Sequence, residues 1–267
     1  MNIYIVDAFT ETSFTGNPAG VCILEKPIAD QLMLNIAKEI NHSETAFAVK
    51  RDTCYHLRWF TPQTEVPLCG HATLATAHIL WEQQYEQKAH AIQFTTQESG
   101  VLTVTYANEM IVMDFPQKFV TSTSQNELIQ DALQVNPLFI GCDELRYLLE
   151  VENEQQIRAL LPDFELLKRL NKRVIVTARS VYPQYDFISR VFAPSVGVNE
   201  DPVTGSAHCY LAPYWAKKLN KTTVIGYQAS SRPGLIRCEL LGQARVLLKG
   251  TAKTVIKGEL FLDNNAT

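Results

Sequence analysis

The stretch LCGHATLATAHILW, Leu68 to Trp81, carries no Asp, Glu, Lys or Arg, and how it is read decides the fold. A Gly-His pair opens it, and small or apolar residues fill the rest, so a helix over Gly70–Trp81 is apolar on every side. A helix of that kind must be enclosed all round, by sheet or by other helices. A second run of the same character, GSAHCYLAPYWA, spans Gly205 to Ala216. Each run follows a similar lead-in: Arg58-Trp59-Phe60-Thr61-Pro62 before the first and Arg190-Val191-Phe192-Ala193-Pro194 before the second, both R-x-F-x-P. A polar loop separates lead-in from helix in both, three residues longer in the second.

The repeated order of strand, loop and chargeless helix implies a duplicated chain. The expected fold is α+β: two pseudo-symmetric lobes, each a curled, mostly antiparallel sheet around a central apolar helix. A length of 267 residues accommodates one large domain or two of roughly 130. The lobes are placed at 1–116 and 117–267, with the last strand free to return to the first lobe. Pro213 predicts an irregular second helix, because an interior proline removes a hydrogen bond and usually kinks the helix.

Short strands supply the sheets. Ile3–Val6 and Val21–Leu24 flank the turn T-G-N-P-A-G at 15–20, and Thr45–Val49 and Tyr55–Phe60 follow a helix over Ala29–Ile40 spaced through Leu32, Ile36 and Ile40. Gln93–Thr96, Val101–Tyr106 and Met110–Phe115 continue the first half. Val174–Val176 and Tyr185–Phe192 lie in the second.

Composition narrows the class of function. Hydrophobic residues make up 46% and charged residues 19%, an ordinary globular balance. The net charge is −4, and Lys and Arg form no stripe, which argues against a nucleic-acid partner. No apolar run has membrane-spanning length, and Asp7 interrupts the first strand before it could act as a leader segment, so no membrane partner is expected and a cytoplasmic location is. The six cysteines form no C-x-x-C pair and are read as free thiols. The six histidines have no metal-ligand spacing, and no phosphate loop or G-x-G-x-x-G is present, so neither a metal nor a cofactor is expected.

A helix start exposes backbone N–H groups and a partial positive charge, and so holds a carboxylate or phosphate without lysine. Gly70 and Gly205 allow a ligand to approach that backbone. With two lobes, the two starts could share a cleft for a small anionic substrate. Three ionisable residues stand near these starts or in similar loops: His71, Asp201 and Glu44. Glu44 lies between a polar turn and an apolar strand, where partial burial favours a carboxyl able both to give and to take a proton. Each also has an ordinary structural reading. Glu44 suits a strand edge, Asp201 before Pro202 a turn, Ser206 a helix cap, and His71 a satisfied core histidine.

D-A-F-T at 7–10, F-T-G-N-P-A-G-V at 14–21, S-E-T-A-F at 43–47, L-C-G-H-A-T-L-A at 68–75 and N-E-D-P-V-T-G-S-A at 199–207 together resemble the phenazine-biosynthesis PhzF-like family. The resemblance implies a diaminopimelate-epimerase-like fold and a homodimeric isomerase with its site in the cleft, needing no cofactor or metal. Carried over residue by residue, it makes Glu44 the proton shuttle. His71, Asp201 and Ser206 become the groups that orient the substrate and stabilise its charge, and Gly70 and Gly205 the backbone donors. Asn17 joins Gly70, Gly205 and Ser206 as a substrate-binding candidate.

Three other functions compete. A two-thiol racemase or epimerase of the same fold would use a cysteine at each helix start, but Cys69 precedes Gly70 while Thr204 precedes Gly205. A serine hydrolase on Ser206, His71 and Asp201 lacks the G-x-S-x-G elbow. A non-enzymatic binder of small anions would leave Glu44 idle.

Overall fold

A computed structural model describes residues 1–124 and 126–262. The chain divides into two compact units, one of Met1–Asp114 with the C-terminal segment from Lys249, the other of Phe115–Leu248.

The first unit begins with β1 (Asn2–Ala8) and β2 (Asn17–Leu24), then α1 (Asp30–Ile40), β3 (Glu44–Arg51), β4 (Cys54–Phe60) and β5 (Glu65–Val66). Helix α2 (Gly70–Glu82) follows, then β6 (Ile92–Thr95), β7 (Val101–Ala107) and β8 (Met110–Pro116). Strand β2 starts at Asn17, earlier than the turn chemistry predicts. Gly16 ends the connection at φ 73°, where an added Cβ would lie 2.3 Å from the Ala8 carbonyl oxygen. Asn17 then pairs with Ala8 at once.

The second unit holds β9 (Thr121–Ser122), α3 (Glu127–Leu133), β10 (Phe139–Cys142), β11 (Arg146–Glu150), α4 (Glu154–Ala159), α5 (Phe164–Lys168), β12 (Arg173–Arg179) and β13 (Phe187–Ala193). It continues with β14 (Val198–Glu200), α6 (Gly205–Leu219), β15 (Thr223–Gln228), β16 (Gly234–Leu241) and β17 (Arg245–Gly250). The final strand, β18 (Ala252–Glu259), belongs to the first unit and lies antiparallel to β1, with Asn2 opposite Glu259.

Strand pairing repeats between the units. In the first, β2 is parallel to β3, β3 antiparallel to β4, and β4 antiparallel to β5 and parallel to β6. In the second, β11 is parallel to β12, β12 antiparallel to β13, and β13 antiparallel to β14 and parallel to β15. The R-x-F-x-P echo has a physical content in this frame. Arg58 Nε and Nη2 donate to Glu65 on β5 at 2.7 and 2.6 Å, and Arg190 Nε and Nη2 donate to Glu200 on β14 at 2.7 and 2.8 Å. Each guanidinium also lies 5.1 Å from the ring two residues on, Phe60 or Phe192. Both are bidentate pairs, which fix orientation as well as charge. The longer second loop contains a 3-10 turn of three residues, Pro194–Val196.

Each central helix is buried as its composition demands. In α2 the run His71–Ala77 is buried throughout, with Ile79, Leu80 and Trp81. In α6 the run Ala207–Pro213 is buried, with Trp215 and Ala216. The expected irregularity at Pro213 does not occur, and α6 runs unbroken to Leu219. The ring deprives the Cys209 carbonyl of its intrahelical donor, and the Lys118 backbone N–H supplies one at 2.9 Å. Around the central helices, α1 packs Leu32, Met33 and Ile36 against Phe47, Val49 and Phe60. Helices α3, α4 and α5 pack Ile129, Leu133, Ile157 and Leu167 against β11, β12 and β13.

Candidate active site

Register fixes which positions of the two units correspond. Thr45 faces Phe60 across β3 and β4, and Val174 faces Phe192 across β12 and β13. With the two phenylalanines equated, Glu44 corresponds to Arg173. Across the parallel pairs Ala19 faces Glu44 and Arg146 faces Arg173, so Ala19 corresponds to Arg146. Cys69 and Thr204 are the N-caps of α2 and α6, and His71 corresponds to Ser206.

In the first unit Glu44 opens β3 beside the start of α2. Its Oε2 lies 3.4 Å from His71 Nε2, with the glutamate side chain 20% and the imidazole 6% exposed. Ser43 completes the group: its hydroxyl donates to Asn17 Oδ1 at 3.2 Å, and its oxygen lies 3.4 Å from His71 Nε2. Since the Ser43 proton is committed to Asn17, a neutral imidazole must carry its hydrogen on Nε2, shared between Ser43 and Glu44; these partners assign the tautomer. Nδ1 is then the acceptor facing Cys69 Sγ, 3.5 Å away. Asn17 is fully buried. A Cβ on Gly70 would meet no atom within 4 Å, so open space lies beside that backbone, as a closely approaching ligand requires. Glu44, Cys69 and His71 offer oxygen, sulfur and nitrogen atoms within 4.8 Å of one another, a grouping able to hold a divalent cation that linear spacing does not disclose.

In the second unit Gln228 holds the loop before α6. Its Oε1 accepts the Thr204 N–H at 2.8 Å, and its Nε2 donates to the Asp201 carbonyl at 2.6 Å. The Thr204 hydroxyl donates to Asp201 Oδ2 at 2.6 Å. The position equivalent to Cys69 therefore holds a hydroxyl already given to a carboxylate, so a two-thiol scheme has no second base. Ser206 is exposed on the first turn of α6, and its Oγ accepts from Arg146 Nη2 at 2.8 Å. That guanidinium cannot take a proton from serine, which removes the activation a hydrolase needs from this contact.

Glu44, His71, Asn17 and Gly70 thus lie in the first unit, and Asp201, Gly205 and Ser206 in the second. Ser43, Gln228 and Arg146 are additions to the residues read from sequence. Ser43 stands inside the quoted S-E-T-A-F. Arg146 could have been noticed because β11, RYLLE, alternates Arg146, Leu148 and Glu150 onto one face, an unusual place for an unmatched cation.

Residues 6–258 match the family of phenazine biosynthesis-like proteins, PhzC-PhzF. An uncharacterised isomerase of Halalkalibacterium halodurans is 51% identical over 263 residues, covering 97% of this chain and 98% of that protein. A solved PhzF-family structure from Enterococcus faecalis superposes with a TM-score of 0.92 at 44% identity, covering 98% and 99% of the two chains. A probable proline racemase from Agrobacterium radiobacter, 12% identical with a TM-score of 0.63 and covering 99% and 94%, shares the fold. On this similarity along nearly its whole length, the chain belongs to the phenazine biosynthesis-like PhzC-PhzF family and is an isomerase.

Proposed function

We propose that the protein moves a proton on a small carboxylate-bearing metabolite by acid/base catalysis at Glu44, using neither cofactor nor metal. The observation that carries this reading is the Glu44–His71 contact at 3.4 Å, on a carboxylate that keeps part of its surface open. Glu44 takes a proton from a substrate carbon and returns it at another position. A single carboxyl suffices when the intermediate stays bound, because the group that accepts the proton is then the acid that delivers it. The imidazole N–H holds Glu44 in place, with Ser43 and Asn17 behind it. Gly205 and Ser206 bind the substrate's anionic end through backbone N–H groups and a hydroxyl, and Asp201, which accepts the Thr204 hydroxyl, orients the loop and substrate beside them.

The test is deuterium uptake. A pool of small carboxylic acids is incubated with the protein in D₂O, with chelator present, and read by mass spectrometry. The wild type should deuterate a carbon position in at least one acid. Glu44→Gln, which matches the size and cannot accept the proton, should lower exchange by about a thousandfold or more while leaving the fold intact. Undiminished exchange in Glu44→Gln would move the base elsewhere, with Cys69 the first residue to examine.

A further inference from the structure

We infer that Arg146 is a positioning residue for the carboxylate site at the start of α6, fixing the Ser206 hydroxyl as a donor and supplying the positive charge behind it. The inference rests on the proposed function in taking the ligand to be the substrate's carboxylate.

Arg146 is 4% exposed, yet only Nη2 is matched, on Ser206 Oγ at 2.8 Å. Nε and Nη1 are buried and reach no hydrogen-bond partner among the described residues. Arg146 takes part in none of the ion pairs found among them. The acids nearby are committed elsewhere. Asp143 accepts the Tyr210 hydroxyl at 2.6 Å and the Leu145 and Arg146 backbone N–H groups at 2.9 and 2.8 Å, and Asp201 accepts the Thr204 hydroxyl. The Tyr210 ring, 5.4 Å from the guanidinium carbon, offers a cation only its π face. A buried cation left this way costs stability that an aliphatic side chain at the same place would not. Asp201 and Tyr210 favour the charge from a distance without a hydrogen bond to it, and an anion arriving at Ser206 offsets the cost further.

Hydrogen-bond logic gives the direction. A guanidinium only donates, so the Ser206 oxygen serves as acceptor toward Arg146 and its proton must point elsewhere. Ser206 is exposed, and the Gly205 and Ser206 N–H groups, which precede the first intrahelical bonds of α6 at Ala207 and His208, lie beside it. A hydroxyl donor and backbone donors therefore converge with a fixed positive charge behind them, a cradle for a carboxylate rather than for a cation or a neutral group. In both units a charged residue of the parallel strand pair reaches the second residue of the central helix: Glu44 meets His71 in one, Arg146 meets Ser206 in the other. The counterpart of Arg146 in the first unit is Ala19, so the cation belongs to the second helix start alone.

The test uses the full chain with sodium sulfate and, separately, sodium malonate as probes at constant ionic strength, followed by amide NMR. In the wild type the Gly205 and Ser206 amides and the Arg146 Nε–H should shift with one saturating midpoint. Arg146→Met should raise that midpoint about tenfold or more, and Ser206→Ala by a similar factor. The double variant should lose clearly less than the product of the two single losses, since part of the effect of Arg146 passes through Ser206; a merely structural arginine would give independent losses. Glu44→Gln should bind both probes as the wild type does. Equal midpoints in wild type and folded Arg146→Met would overturn the inference. So would an unmoved Arg146 Nε–H in the wild type, a measurement that stands even if Arg146→Met does not fold. Silence of the Gly205 and Ser206 amides would instead remove the carboxylate site on which it depends, and loss of deuterium exchange bears on Glu44 alone.

Discussion

Two histidines at the helix starts have opposite surroundings. His71 sits among groups that can exchange hydrogen bonds with it. His208, one turn into α6, is fully buried; its Nδ1 lies 2.8 Å from the Thr204 carbonyl, which assigns the hydrogen there, and Nε2 has no hydrogen-bond partner among the described residues. Burial pulls its pKa from 6.5 down to about 4, so it stays neutral in the folded protein. The unfolded chain takes up this proton near 6.5 and the folded one does not, so its contribution is fully present above pH 6.5 and is lost as pH falls toward 4. The shift corresponds to about 3 kcal/mol. His208→Asn, which keeps a donor near Nδ1, should be less stable at pH 7 but show a flatter fall in urea midpoint between pH 6.5 and 4. An unchanged slope would assign the acid sensitivity to other groups. The sequence offers GSAHC and CGHAT as near twins, and it is their partners, set by distant strands, that separate a candidate site histidine from a packing one. Glu44 and His71 were legible as candidates because their motifs are short and local. Arg146 and Gln228 were not, because they act on the loop and helix start before and within α6 from other strands.

At the level of elements, Pro213 shows how a local rule yields to a long-range contact. Proline inside a helix ordinarily costs about 3 kcal/mol relative to alanine. Here the orphaned Cys209 carbonyl is already satisfied by Lys118, outside the helix. Pro213→Ala should therefore recover little of that cost, within about 1 kcal/mol of wild type in urea unfolding, because the restored N–H competes for an occupied acceptor. Full recovery would mean that the Lys118 bond contributes nothing. The helix at Pro213 could not be read correctly from sequence, since its rescuer lies some ninety positions earlier. The R-x-F-x-P echo was readable as a pattern, but its meaning required the glutamates on β5 and β14, which follow at different spacings. The segment from β9 to α5 left no reading at all: its elements are short, and α4 and α5 together span little more than a typical helix.

For the molecule as a whole, the lesson of the duplication is that scaffold and chemistry repeat unequally. Strand pairing and buried helix occur twice, whereas among the described residues the Glu44–His71 contact belongs to the first unit and the buried Arg146 to the second. The apolar runs announced the scaffold because enclosure of a chargeless helix leaves few alternatives. Closure of the first unit comes from the far end of the chain, where β18 lies on β1. A chain ended after Gly250 should keep the second unit intact and expose β1. Hydrogen exchange at residues 2–8 should quicken by roughly a hundredfold or more, while β11–β13 keep their protection. Uniform loss of protection in both units would show that they cannot be separated in this way. The same strand sets a timetable for synthesis. Everything the second unit needs is translated before β18, so the half of the protein translated first is the half that finishes folding last, and its β1 edge must wait uncovered until β18 emerges.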